Sequence, residues 1–149
     1  MSNTLIADNL VYGINISPTG TGPVSGVIDH VDIQNSTNTG LNVSNTTGIV
    51  NVTVTDSVVA NGVDGILANS SGLTLLNIMV RNSTIANNSS VALGAQDNGA
   101  NLRVTRSSIT GNHVVYGLFG SGTPQVTSYN DNNIDGNTTN NAPPAIAYR

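Results

Sequence analysis

Residues Asn51 to Gly72 read NVTVTDSVVANGVDGILANSSG. Two β-branched bursts, Val52-Thr53-Val54-Thr55 and Val58-Val59, and the apolar pair Ile66-Leu67 are separated by Asp-Ser, Asn-Gly and Asn-Ser-Ser-Gly. Apolar bursts this short, set between turn formers, spell three short strands and three turns. The unit recurs. With the apolar residue at the start of the second strand as anchor, Ile6, Ile33, Val59, Ile85, Ile109 and Ile134 follow one another at intervals of 27, 26, 26, 24 and 25 residues. A fixed period of this size is the signature of a solenoid.

Other columns keep phase with the anchor. Five residues before it lie Ile28, Val54, Val80, Val104 and Tyr129; two before it lie Val31, Ser57, Ser83, Ser107 and Asn132. Seven to nine after it come Ile14, Leu41, Ile66, Leu93 and Leu118, preceded by Gly13, Gly40, Gly65, Ala92 and Gly117. An Asn follows the anchor at two or three residues: Asn35, Asn61, Asn87 or Asn88, Asn112 and Asn137. Stacked coils would let these amides form ladders. Tolerance of left-handed turn conformations explains the same column equally well, and the two roles are compatible.

Composition points the same way. The 149 residues suit one domain. The chain has 23 Asn, no Glu and no Lys, which disfavours helix. A net charge of −4 with four Arg leaves no basic stripe for nucleic acid. The absence of Cys removes disulfides and thiolate chemistry. No apolar run reaches the ~20 residues of a membrane span. The start, MSNTLIADNL, has neither the basic nor the apolar region of a signal peptide.

The expected fold is therefore all-β: a single-stranded parallel β-helix of about six coils of about 25 residues, with three short strands per coil. Coils occupy about residues 1–24, 25–48, 51–72, 73–100, 101–123 and 124–137, and 138–149 form a tail, a partial cap or loose. The run Leu73 to Val80 is expected to carry a bulge or an outer cover, and Gly94 to Gly99 to close its coil as a turn. The first coil has no evident cap, which makes it a candidate surface for a homo-oligomer.

The pattern in VTVTDSVVANG and RVTRSSITGNH resembles right-handed parallel β-helix repeat proteins of pectin-lyase-like architecture, over about residues 1–137. That group contains polysaccharide lyases, glycoside hydrolases, epimerases, phage tailspikes and secreted proteins without known activity. The resemblance implies a right-handed coil, a secreted or cell-surface location and, for the enzymes, a site on the outer face of the first sheet.

Three columns fall on that face. Three before the anchor stand Asn3, His30, Asp56, Asn82, Arg106 and Asp131; four before, Asp29, Thr55, Arg81, Thr105 and Asn130; six before, Val27, Thr53, Met79, Arg103 and Ser128. Asp29, His30, Asp56, Arg81, Arg103 and Arg106 thus form a candidate substrate-binding cluster. As a uronate site, its Arg would hold sugar carboxylates, Asp29 and Asp56 would bind calcium, and His30 or an Arg would handle the proton. The plainer reading is a solvated face of weakly paired charges. It is preferred, because pectate lyases gather more Asp and no polygalacturonase motif occurs here. His113 reads as a solvated turn residue, and Tyr12 and Tyr116 as packing groups.

The leading functional expectation is a non-catalytic β-helix module of a secreted or surface protein, binding glycan or serving as a stalk, with no cofactor unless calcium. The alternatives are a polysaccharide-active enzyme or its remnant, and a structural piece of an assembly such as a phage tailspike.

Overall fold

The computed structural model describes residues 1–71 and 74–147; Gly72, Leu73 and Tyr148, which figure in the expectations above, lie outside the described residues. The chain is a parallel β-solenoid of about five turns. An incomplete first coil holds β1 (Ser2–Ala7) and β2 (Tyr12–Ile16), and the next holds β3 (Val24–Gln34) and β4 (Thr39–Asn45). The two that follow are β5 (Val50–Thr55), β6 (Val58–Ala60) and β7 (Asp64–Ser70), then β8 (Leu76–Arg81), β9 (Thr84–Ala86) and β10 (Val91–Gln96). After them come β11 (Ala100–Thr105), β12 (Ser108–Thr110) and β13 (Val114–Phe119), and a last partial coil with β14 (Gln125–Ser128) and β15 (Asn133–Ile134).

Three sides result. The first stacks β3, β5, β8, β11 and β14; the second β1, β3, β6, β9, β12 and β15; the third β2, β4, β7, β10 and β13. Among the described residues every strand pair is parallel, and the anchors align in register: Ile6 with Ile33, then Val59, Ile85, Ile109 and Ile134. Ile33, Val59, Ile85 and Ile109 are fully buried. Burial of side chains this large contributes about 1.5–3 kcal/mol apiece, repeated at each rung.

Two corners are set by left-handed residues. Asn3, His30, Asp56, Asn82, Arg106 and Asn130 turn the chain from the first side to the second, with φ between 46° and 63°. Asp8, Asn35, Asn61, Asn87, Gly111 and Gly136 turn it towards the third, with φ between 55° and 71°. Asn, Asp and Gly, which tolerate this conformation, hold all of these positions but His30 and Arg106.

Beside each corner runs a polar ladder. At the first, Ser57 Oγ accepts from Val31 N, Ser83 Oγ from Ser57 N, and Ser107 Oγ from Ser83 N, at 3.1, 3.2 and 3.2 Å. Asn132 Oδ1 continues the series to Ser107 N. At the second, Asn88, Asn112 and Asn137 stack amide on amide, while Asn35, Asn61 and Asn87 are the left-handed turn residues. The two roles proposed for asparagine thus fall on adjacent columns.

The repeat drifts in the last coils. Val104 pairs with Ser128, not Tyr129. From Val104 to its anchor Ile109 is five residues, but from Ser128 to Ile134 is six, because the corner at Asn130 carries one extra. The columns assigned to Tyr129, Ser128 and Asn130 shift accordingly: Arg103 pairs with Thr127, and Tyr129 faces outward into the pocket described below. On the third side Leu93 pairs with Tyr116, so Tyr116 packs on the core end while Leu118 is half exposed. Tyr116 thereby falls in a different column from Tyr12, which pairs with Thr39. Gly94 to Gln96 belong to β10 and not to a turn. From Leu76 onward the long apolar run alternates cleanly, Leu76, Ile78 and Val80 inward and Asn77, Met79 and Arg81 outward, without a bulge.

Candidate functional site

On the first side, alternation turns one residue in two outward. Pairing places Val27, Thr53, Met79, Arg103 and Thr127 in one outward column, and Asp29, Thr55, Arg81 and Thr105 in the next. Tyr129 extends the second column: its N–H donates to Val104 O at 3.1 Å. Beyond β14 the tail lies as a further short rung, with Ser128 N donating to Pro144 O at 2.9 Å and Ile146 N to Ser128 O at 2.8 Å.

These groups enclose a pocket of about 780 Å³, lined by Met79, Arg81, Arg103, Thr105, Arg106, Gln125, Thr127, Tyr129, Ile146 and Ala147. Thr105 is its most buried member. Arg106 reaches it from the corner, where its left-handed backbone is held by Asp131: Oδ1 accepts from Arg106 N at 3.1 Å and Oδ2 from Thr105 Oγ1 at 2.7 Å. Among the described residues no carboxylate forms an ion pair with the three guanidinium groups.

The six residues singled out in the sequence divide into two groups. Arg81, Arg103 and Arg106 meet in the pocket. Asp29, His30 and Asp56 gather nearer the N-terminal end, with potential ligand atoms all within 4.8 Å of one another. His30 and Asp56 stand on the corner and not on the sheet face. His30 Nδ1 lies 2.8 Å from Asp29 Oδ1. Hydrogen bonds from Thr55 and Asn82, helped by the charges of His30 and Arg81, hold the Asp56 carboxyl below its usual range.

This second group does not fit calcium. Calcium takes six to eight oxygen ligands, whereas two carboxylates and an imidazole are present, both Asp56 oxygens already accept hydrogen bonds, and the side chains of Asp29 and His30 are 37% and 60% exposed. Imidazole with carboxylate suits zinc, copper or nickel better. His113 is exposed in its turn.

Sequence reasoning missed Thr105, Thr127, Tyr129, Gln125, Met79 and Ile146 as partners of the arginines. The available signal was the six-residue spacing from Ser128 to Ile134, which moves Tyr129 from inside to outside.

Comparison with known proteins finds no matching family model, no matching curated protein and no matching solved structure.

Proposed function

We propose that this chain is a non-catalytic β-helix module of a secreted or cell-surface protein, of pectin-lyase-like type, that binds acidic polysaccharide in the arginine pocket. The observation that carries the reading is the convergence of three of the chain's four basic side chains on one concavity beside Tyr129. Guanidinium groups bind carboxylates through planar, charge-assisted pairs. Among the described lining residues none carries a carboxylate or imidazole, the usual general acids and bases, which favours binding over turnover.

Calorimetric titration with oligogalacturonate and with a neutral glucan tests the proposal. Saturable, salt-sensitive binding of the acidic ligand alone supports it, with loss in Arg103→Gln/Arg106→Gln. Equal binding of both ligands, or an unaffected double variant, overturns it.

A lyase is the second reading. Asp29 shares a column with Arg81, and His30 and Asp56 gather beside it on the corner, which favours it. Unsaturated products from a uronate polymer, lost in Asp56→Asn, would establish it.

A further inference from the structure

Resting on that acidic-glycan reading, we propose that Asp131 is a positioning residue of the arginine pocket: it strengthens the binding of an anion by holding Arg106 in place, although it is itself an acid. At the two preceding corners the turning residue directs its N–H to main chain. Asp56 N donates to Arg81 O at 3.3 Å, and Asn82 N to Thr105 O at 3.2 Å. Arg106 N donates instead to a side chain, Asp131 Oδ1, at 3.1 Å. The extra residue of the last coil makes the difference. Asp131 stands between the corner residue Asn130 and Asn132, which continues the serine ladder.

Arg106 needs that support more than the Asn and Asp residues of its column. Its φ is 46°, a conformation that Asn and Asp adopt readily and a long side chain does not. Backbone conformation sets the direction of the Cα–Cβ bond, so an ordinary negative φ would aim the guanidinium elsewhere. Arg106 is exposed, and packing does little to fix it. Asp131 Oδ2 also accepts from Thr105 Oγ1 at 2.7 Å, so one carboxylate ties two consecutive residues that both line the pocket. Asp131 is anchored in turn through its neighbour. Asn132 Oδ1 accepts from Ser107 N at 2.9 Å, and its Nδ2 donates to Ser128 Oγ at 2.9 Å and to Val104 O at 3.2 Å. A cation held ready in this way binds without first losing the freedom of a loose side chain.

Charge and positioning make opposite forecasts. By charge alone, removing a carboxylate beside a cationic pocket tightens the binding of an anion; by positioning, it weakens it. The test is calorimetry on the intact chain with oligogalacturonate, well below the melting temperature. Asp131→Ala is expected to bind about tenfold more weakly than wild type. In the Arg106→Gln background the same change is expected to cost less than about twofold, because the group it positions is gone. Asp131→Asn keeps an oxygen for Arg106 N–H and a donor for Thr105 Oγ1, and is expected to bind at least as tightly as wild type. Asp131 is exposed, so its truncation leaves the core intact; Asp131→Ser, too short to reach both partners, replaces the alanine variant if that one folds poorly. Equal or tighter binding by Asp131→Ala, an equal loss in the Arg106→Gln background, or a matching loss in Asp131→Asn overturns the positioning role while leaving the acidic-glycan reading intact. Absence of binding by the wild type overturns both.

Discussion

The side-chain nitrogen of Asn88 lies 2.8 Å from the amide oxygen of Asn112, one rung further along the rod. Asn112 in turn donates to Asn137 at 2.9 Å, and to the carbonyls of Ile85 and Thr110 at 3.0 Å each. The Asn112 oxygen also accepts from the backbone N–H of Asn88. One residue at 1% exposure thus satisfies polar groups on three rungs.

Asn112→Ala strands several of those groups in the interior. An unsatisfied buried donor or acceptor costs about 1–3 kcal/mol, so the variant is expected to lose about 2–5 kcal/mol in urea unfolding. Asn112→Asp, which offers no amide donor and buries a charge, is expected to be no better. A loss below about 0.5 kcal/mol would show that the stacked amides carry no weight.

Ser83 has a comparable role at the other corner. Its hydroxyl donates to Arg81 O at 2.8 Å and accepts from the buried Ser57 N–H at 3.2 Å. Ser83→Ala is expected to cost about 1–3 kcal/mol, and amide exchange at Ser57 should accelerate relative to Val59. Unchanged exchange at Ser57 would contradict the bond.

Gly65 is fixed by closeness and not by a left-handed backbone. A Cβ there would sit 2.5 Å from the carbonyl oxygen of Ala92 and 2.7 Å from Ile85 Cγ2. Gly65→Ala is expected to destabilise by about 1–3 kcal/mol or more, whereas Gly26→Ala, where a Cβ meets nothing within 4 Å, is expected to be nearly neutral. Thermal melts of the two variants side by side decide the point.

The rod is expected to weaken in acid. Asp56 is held below its ordinary pKa of 3.8 by hydrogen bonds from Thr55 and Asn82, and Asp97 by the backbone N–H of Ser121 with help from Gln96. A depressed folded-state pKa contributes stability that is present above 3.8 and is lost as pH falls through the folded-state value. Carboxyl titration by NMR should place both residues below 3.8, and stability should decline as pH falls through the acid range towards their folded-state values. A midpoint for Asp56 above 3.8 would overturn the assignment.

The architecture was legible because inside and outside obey different rules. Inward positions are filled mostly by aliphatic side chains, so Ile33, Val59, Ile85 and Ile109 repeat visibly and locate the axis without any structure. Corners proved harder. His30, Asp56 and Arg106 share a left-handed backbone with Asn82, yet their side chains look unrelated, and nothing in the letters separates a corner position from a sheet face. The pocket was half visible. Its arginines stood out by their rarity, whereas Tyr129 was misplaced because one extra residue between Ser128 and Ile134 displaced the column. Ile146 belongs to a tail whose docking on Ser128 has no periodic signature.

Strict alternation along β8 and β11 separates two kinds of inheritance. Ile78, Val80, Leu102 and Val104 answer to the interior, while Met79, Arg81 and Arg103 face outward. Exchanging every second letter of two strands would therefore furnish the same rod with a new chemical exterior. Selection could explore ligand after ligand at almost no cost in folding.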